Sequence, residues 1–413
     1  MKNIVILGGG YAGIFAAANL INKRRNIKIN IIDKNPYHQL LQQIHLIPAN
    51  IKIPEYLTLK INDLLKNDAD FLEDNLESIN LEKRKVITKT GIEYSYDYII
   101  IALGAINTYY SVKGAQQYSH SFRSVGDALK LREAITKLPS DSVIVICGGG
   151  ATGISLAGAL SETFGEKIKI KVVEAQHNIL ADWDPRLVKT AKKILRERNV
   201  EILTGQPVKE ISNSSVIVGS DIRVNCDLTV WTAGIKGFEI KTIPHVKKTK
   251  SERIIVNKYS QIEGFDNAFA VGDISAFTLK NGVLSPQLAQ FAVRQARNVA
   301  KNILRKEGGE PMIELDYSQK GQILSLGRRC MGLINGILVT GALCEYAEDF
   351  VIDNYIAAIE NRGKGIPALA YENDVVSQIS TSLNFMTYAA SRVLSNRSNA
   401  TRGDLYKEIK RTN

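Results

Sequence analysis

Six residues near the start of the 413-residue chain have the types and order of a phosphate cradle: Gly8-Gly9-Gly10-Tyr11-Ala12-Gly13. The first glycine permits a tight turn, the third lets a pyrophosphate approach the backbone, and the last lets a helix pack closely on a strand. The chemistry of such a loop is binding: a helix that starts there offers free N–H groups and a positive dipole end to phosphates. Asp33 follows 20 residues past Gly13, where an acid accepts ribose hydroxyls. The arrangement recurs at Gly148-Gly149-Gly150-Ala151-Thr152-Gly153, with Glu174 21 residues later. An acid there favours a free 2′-hydroxyl, hence NADH over NADPH. Two loops imply two dinucleotides, and one cofactor that stays bound beside one that exchanges makes a redox enzyme. One working site and one relic is the plainer alternative.

The elements must hold each loop between a strand and a helix. Asn3–Leu7 is a buried β-branched strand; Ile14, Ala17, Ala18 and Leu20 begin a helical pattern; Ile27–Ile32 is the next strand. Around the second loop stand Val143–Cys147, then Ile154, Leu156, Ala157 and Leu160, then Ile168–Val173. Strands are expected at Lys85–Thr88, Gly91–Tyr94 and Tyr98–Ala102, closing at Gly104, where the backbone can pass near a ligand. Arg123–Lys137 reads as a helix, and Leu187–Arg198 as a basic helix with a solvated face. Strands follow at Glu201–Leu203, Ser215–Val218 and Leu228–Trp231, the last ending in Thr232-Ala233-Gly234. Asn267–Asp273 is a buried strand ending in Gly-Asp. A helix is expected from Ser285 to Leu304, with Pro286 in its first turn. Short strands at Gln322–Leu326 and Gly332–Val339 precede a helix over Tyr346–Ile359.

A last periodicity joins Val375, Ile379, Leu383, Met386, Ala390 and Val393, opposite Ser377, Ser380, Thr381, Asn384 and Thr387. From Val375 onward there are six basic residues and two acids, a net of +4. This reads either as an amphipathic helix on an anionic bilayer face or as a helix packed on its own domain or a partner subunit.

Composition sets the outer limits. At 45% hydrophobic and 23% charged residues, a disordered tail, a collagen-like fibre and a coiled-coil rod are excluded. The net charge of +11 points to acidic partners: nucleic acid, an anionic membrane surface or a phosphorylated ligand. Cys147, Cys226, Cys330 and Cys344 contain no CxxC pair. That argues against a secreted disulfide scaffold, a zinc ribbon and a disulfide reductase, and for buried small hydrophobes in a reducing cytoplasm. The start of the sequence is not expected to act as a signal peptide, and the sequence contains no stretch of ~18 apolar residues.

Taken together, the two loops, Trp231-Thr-Ala-Gly234, Ala270-Val-Gly-Asp273, Ala289-Gln290-Phe291-Ala292 and the amphipathic C-terminus resemble the type II (alternative) NADH:quinone oxidoreductases, two-dinucleotide-fold flavoproteins. Asn35-Pro-Tyr-His-Gln-Leu-Leu41 is similar to that family's segment after the FAD ribose acid. The resemblance implies an α/β fold with two Rossmann-like FAD/NAD(P)-binding domains, the second inserted in the first. The FAD domain would be 1–115 with 246–316, the NADH domain 116–245, and a C-terminal α+β module 317–413 would serve membrane association or dimerisation. It implies FAD contacts at Gly8, Gly10, Ala12, Gly13, Asp33, Lys34, Gly104, Asp273, Ala289 and Gln290, and NADH contacts at Gly148, Gly150, Gly153, Glu174 and Gly234. Gln290, Gln295 and Ser155 would stand at the reacting centre, with a lipid quinone as acceptor and no metal. The enzyme would lie on the cytoplasmic face of the cell membrane without crossing it, bind no nucleic acid, and have a homodimer as one expected assembly.

Two departures from that family's pattern stand out. Ser155 replaces a glutamate usual near the nicotinamide, and Arg294 replaces a frequent glutamine; Arg294 is expected to be a surface residue, the alternative being that it faces anionic head groups or an acidic substrate. Three other readings share the architecture: a reductase of an acidic ferredoxin-type carrier, a sulfide:quinone oxidoreductase, and an NADH-sensing flavoprotein without fast turnover.

Overall fold

The structure, a computed structural model, describes residues 1–21, 26–334, 336–365, 367, 370–371, 381–382 and 384–390. Two five-stranded parallel sheets dominate it. In the first, the order is Ala268–Ala270, Tyr98–Ile101, Lys2–Leu7, Ile27–Asp33, Asp70–Glu73. In the second it is His120–Ser121, Leu228–Trp231, Ser142–Cys147, Ile168–Val173, Glu201–Leu203. Each is the α/β doubly wound pattern, with the glycine loop leaving the central strand. Strands buried on both faces read as unbroken aliphatic runs, which is why Ile4–Leu7 and Ile144–Cys147 are fully enclosed.

Six helices matter below. Helix α1 (Tyr11–Leu20) is apolar nearly all round, because the first sheet and another helix enclose it. Helix α2 (Val125–Thr136) starts at Ser124, whose hydroxyl accepts the Asp127 N–H at 3.0 Å. Helix α3 is Ala151–Phe164. Helix α4 (Pro185–Glu197) has Asp184 as its cap and proline at its first position. Helix α5 (Ala289–Glu307) runs along α1, and α6 (Ala342–Glu360) packs on the C-terminal strands and on α1.

The two passages between the sheets, Ala105–Asn107 outward and Ile235–Gly237 back, pair with each other as antiparallel strands. Helix α5 starts at Ala289 rather than at Ser285. The reason is a contact from a distant segment: the Ser285 carbonyl and hydroxyl accept Arg253 Nη2 at 2.9 and 2.8 Å, which holds that stretch extended. The strand expected over Gly332–Val339 is a hairpin, Arg329–Ile334 turning into Ile337–Thr340, and Gly321–Leu326 pairs on its other side. Cys330 and Cys344 are disulfide-bonded, with Cα atoms 5.5 Å apart. This corrects the expectation of four free thiols, because the hairpin lies across the first turn of α6; only Cys147 and Cys226 are free and buried.

Of the expected amphipathic helix, Val375, Ile379, Leu383 and Val393 fall outside the described residues. Residues 384–390 are helical, with Met386 exposed. Among the described residues no helix is long and apolar enough to cross a membrane.

Beneath the hairpin, Ser325 Oγ lies 3.2 Å from both Glu348 Oε1 and His45 Nε2. Burial, reinforced by Asp349 and opposed by Lys52, Gln43 and Ser325, pushes the Glu348 carboxyl up to about 7. A carboxyl raised on folding favours the native state below its unfolded value of 4.5. That contribution is lost as pH rises through about 7. Glu348→Gln therefore leaves stability nearly unchanged at about pH 4 and raises it at about pH 8, by at most ~3 kcal/mol. Urea melts at both values check the sign.

Candidate dinucleotide sites

The first loop follows from the strand that feeds it. Lys2–Leu7 delivers Gly8 with a φ of +108°, a conformation natural only to glycine, and an added side chain would run into the Ala102 carbonyl. A methyl on Gly13 would strike the Gly8 carbonyl, so α1 and the strand approach as closely as the spacing demands. Gly10 differs: nothing lies within 4 Å of where its Cβ would be. Helix α1 begins one residue later with no side-chain cap and no acid in its first turn. The Asp33 carboxylate accepts the Gly9 N–H at 2.6 Å and the Asn35 N–H at 2.8 Å. Lys34, next to it, is exposed.

The second loop repeats this design. Gly148 has a φ of +122°, and its absent side chain would lie 2.7 Å from the Ala233 nitrogen. Gly153 abuts the Gly148 carbonyl, Gly150 again faces open space, and α3 begins at Ala151 without a cap. Glu174 accepts the Gly149 N–H at 2.6 Å and the Gln176 N–H at 2.7 Å. Each acid thus braces its own loop and holds a carboxylate at the end of the neighbouring strand. Gly234 closes this site at a positive φ, with the Tyr110 ring directly over it.

A third wall meets the first loop. A Cβ on Gly272 would lie 3.3 Å from the Ala12 methyl and 3.5 Å from that of Ala292, so α1, the Gly-Asp turn and α5 converge there. Asp273 stands in this turn with Arg123 Nη2 at 3.9 Å. Burial raises its pKa, and the positive charges of Arg123 and Arg253 oppose the shift. Ala289 and Gln290 open α5, and Gln290 is tied to the start of the Gly321–Leu326 strand: its Oε1 accepts the Lys320 N–H at 2.6 Å.

Gln295 and Arg294 are placed otherwise than expected, and Ser155 lies within α3. Gln295 is fully enclosed and its amide is used up. Its oxygen accepts the Gly272 N–H at 2.8 Å and the Ser275 hydroxyl at 3.0 Å, and its nitrogen donates to Ser260 Oγ at 3.0 Å and to the Ala270 carbonyl. It positions the Asp273 turn and cannot reach a substrate. Gln295→Leu leaves those groups unpaired in the core, so a stability loss of roughly 2–4 kcal/mol is expected by urea denaturation. Arg294, expected at the surface, is buried, 5% exposed. Ser155 is buried one turn into α3, and a turn later Gly158 gives room to Leu326 of the Gly321–Leu326 strand.

His38 carries no motif of its own, yet it supports the first loop from below. Its Nδ1–H donates to the Gly9 carbonyl at 3.0 Å, and Nε2 lies 3.3 Å from the Tyr355 hydroxyl. Burial lowers its pKa to about 4, which keeps the ring neutral and that donor in place. Its place in Asn35–Leu41 was the only sequence signal. Arg123 and Arg253, which face Asp273, had none.

Both loops fit a dinucleotide: each leaves one glycine face open and one helix N-terminus uncapped, with an acid at the neighbouring strand end. Residues 2–296 match the model of the pyridine nucleotide-disulphide oxidoreductase family, and the chain belongs to that family. More particularly, it is similar to the type II NADH:quinone oxidoreductase of Staphylococcus aureus strain NCTC 8325, 28% identical over 82% of this chain and 91% of that protein. Among solved structures it shares its fold with NDH2 from Plasmodium falciparum in complex with NADH, at a TM-score of 0.77 and 15% identity over 93% and 97% of the two chains. It also shares it with the sulfide:quinone oxidoreductase of Aquifex aeolicus, at 0.74 and 21% over 88% and 92%.

Proposed function

We propose that this chain is an FAD-dependent NADH dehydrogenase that passes two electrons to a membrane quinone and pumps no protons. The overall reaction is NADH + H⁺ + quinone → NAD⁺ + quinol. The observation that carries it is the doubled cradle, open at Gly10 and at Gly150, each braced by its own acid. The likeness to the Staphylococcus aureus enzyme over 82% of the chain supports quinone as the acceptor.

In this reading Gly8, Gly10, Ala12 and Gly13 hold the FAD pyrophosphate and Asp33 the adenine ribose, with Lys34 beside it. Gly104, Asp273, Ala289 and Gln290 lie along the rest of the cofactor. Gly148, Gly150, Gly153, Glu174 and Gly234 hold NADH. Bound FAD supplies the two-electron acceptor that no side chain offers. The protein's own work is alignment and exclusion of water: α5 and the Gly321–Leu326 strand, joined through Gln290, wall the reacting end. Ser155 leaves that end without the family's usual carboxylate.

The domain limits that go with this reading are 1–115 with 246–316 for FAD, 116–245 for NADH and 317–413 for the C-terminal module. The +4 stretch after Val375 suits an anionic bilayer on the inner face of the cell membrane, and a homodimer suits the C-terminal module. The sulfide alternative needs thiols beside the flavin. Here Cys147 and Cys226 sit in the core under the second sheet, and Cys330–Cys344 ties the hairpin to α6.

An acceptor screen on the NADH-reduced protein separates the readings. Reoxidation by a soluble quinone, faster than by a ferredoxin or by oxygen, is the expected result. Rapid reoxidation by ferredoxin alone contradicts it.

A further inference from the structure

Arg294 is the one buried arginine whose guanidinium leaves a buried N–H without an acceptor among the described residues. Its Nη1 donates to the Gln290 carbonyl at 3.2 Å and its Nη2 to the Ala370 carbonyl at 3.3 Å, while Nε has no partner. It forms no ion pair among the described residues, and its charge centre lies 5.9 Å from the centroid of the Tyr317 ring. The buried Tyr317 hydroxyl is also unpaired. That ring packs edge-on against Phe291, the residue after Gln290. Arg253, buried to a similar degree, shows the ordinary solution: it makes four bonds to Ser275 and Ser285.

A buried guanidinium stays charged, and a buried charge with an orphan donor is costly unless an anion completes it. Burial works against the Arg294 charge, and among the described residues the titratable groups that act on it are two neutral phenols, Tyr317 and Tyr371. The second turn of α5 adds the positive end of the helix to the same region. Two neighbouring side chains, with the Arg294 charge centre 5.9 Å from the Tyr317 ring centroid, therefore each hold an unpaired buried donor, and Arg294 lies one helical turn from Gln290.

We propose that Arg294 and Tyr317 form a buried oxyanion-binding pair at the reacting end, which takes an oxygen that is uncharged in one redox or ionisation state and anionic in the other. The inference rests on the functional reading above. It deepens it by giving the acceptor side of the site a fixed positive charge where a neutral glutamine is usual. Two sources offer such an oxygen: the reduced flavin, or an acceptor with an ionised ring hydroxyl.

The test uses the purified holoenzyme and Arg294→Gln, Arg294→Lys and Tyr317→Phe. One arm measures the reduction potential of bound FAD. If the flavin supplies the oxygen, Arg294→Gln weakens reduced relative to oxidised FAD about tenfold, a fall of ~30 mV for a two-electron couple. The other arm compares binding of a naphthoquinone bearing an ionised ring hydroxyl with the same ring lacking it. If the acceptor supplies the oxygen, the wild type prefers the ionised ligand by about tenfold and Arg294→Gln abolishes the preference. In either arm Arg294→Lys restores most of the effect and Tyr317→Phe gives part of the loss. A folded Arg294→Gln protein, judged by its thermal melt and flavin content, with both potential and preference unchanged overturns the proposal. Reduction of the plain quinone by NADH in the wild type is scored separately, so failure there counts against the functional reading alone.

Discussion

Gly150→Asp leaves the purified protein yellow with bound flavin but nearly unresponsive to NADH. Gly150 is exposed at the uncapped start of α3, and nothing lies within 4 Å of its missing Cβ, so the substitution is tolerated by the fold. The new carboxylate would stand where a pyrophosphate meets the helix N-terminus. It would repel the phosphates and take up the N–H groups meant for them. A loss of at least ~100-fold in NADH affinity, about 2.7 kcal/mol, is expected. Titration of flavin bleaching with NADH reads it, and an unchanged NADH requirement would place the nicotinamide cofactor elsewhere.

Gly10→Asp gives the opposite phenotype, a folded but colourless protein. Gly10 has the same open surroundings and the same uncapped helix behind it. The first loop is the more deeply built of the two, since α1 is buried on nearly every side and His38 braces it from below. Loss of FAD therefore also removes the stabilisation that a tightly bound ligand lends, ~4 kcal/mol when it is present at a thousandfold excess over its dissociation constant. Flavin content and the melting temperature with and without added FAD check this. The two variants dissociate the sites: one keeps FAD and loses NADH, the other loses FAD. If both variants lose the same cofactor, the assignment of loops to cofactors fails.

Much of this was legible in the sequence because the loops are local. Gly8, Gly13, Gly148 and Gly153 are demanded by backbone geometry within a single strand–turn–helix unit, and Asp33 and Glu174 follow at the end of the very next strand. The parallel sheets were equally readable, since strands buried on both faces must be unbroken aliphatic runs. What was not legible depends on contacts between distant segments. That Gln295 is spent on Gly272 and Ser275, or that Arg294 is enclosed against Tyr317, follows from how α5 meets the Gly-Asp turn and the segment before the hairpin. Helical position alone could not separate these two neighbours from Gln290. Helix α5 likewise starts late because of Arg253, more than thirty residues earlier in the chain. The Cys330–Cys344 pairing arises from a hairpin crossing a helix start, and a spacing of 14 residues says nothing of that.

The most direct measurement is an anaerobic titration of the purified flavoprotein with NADH, followed by one addition of soluble quinone. Bleaching of the flavin band complete at one NADH per flavin, then full recovery of colour on adding quinone, is the predicted result. A flavin that stays oxidised in the presence of excess NADH contradicts the account.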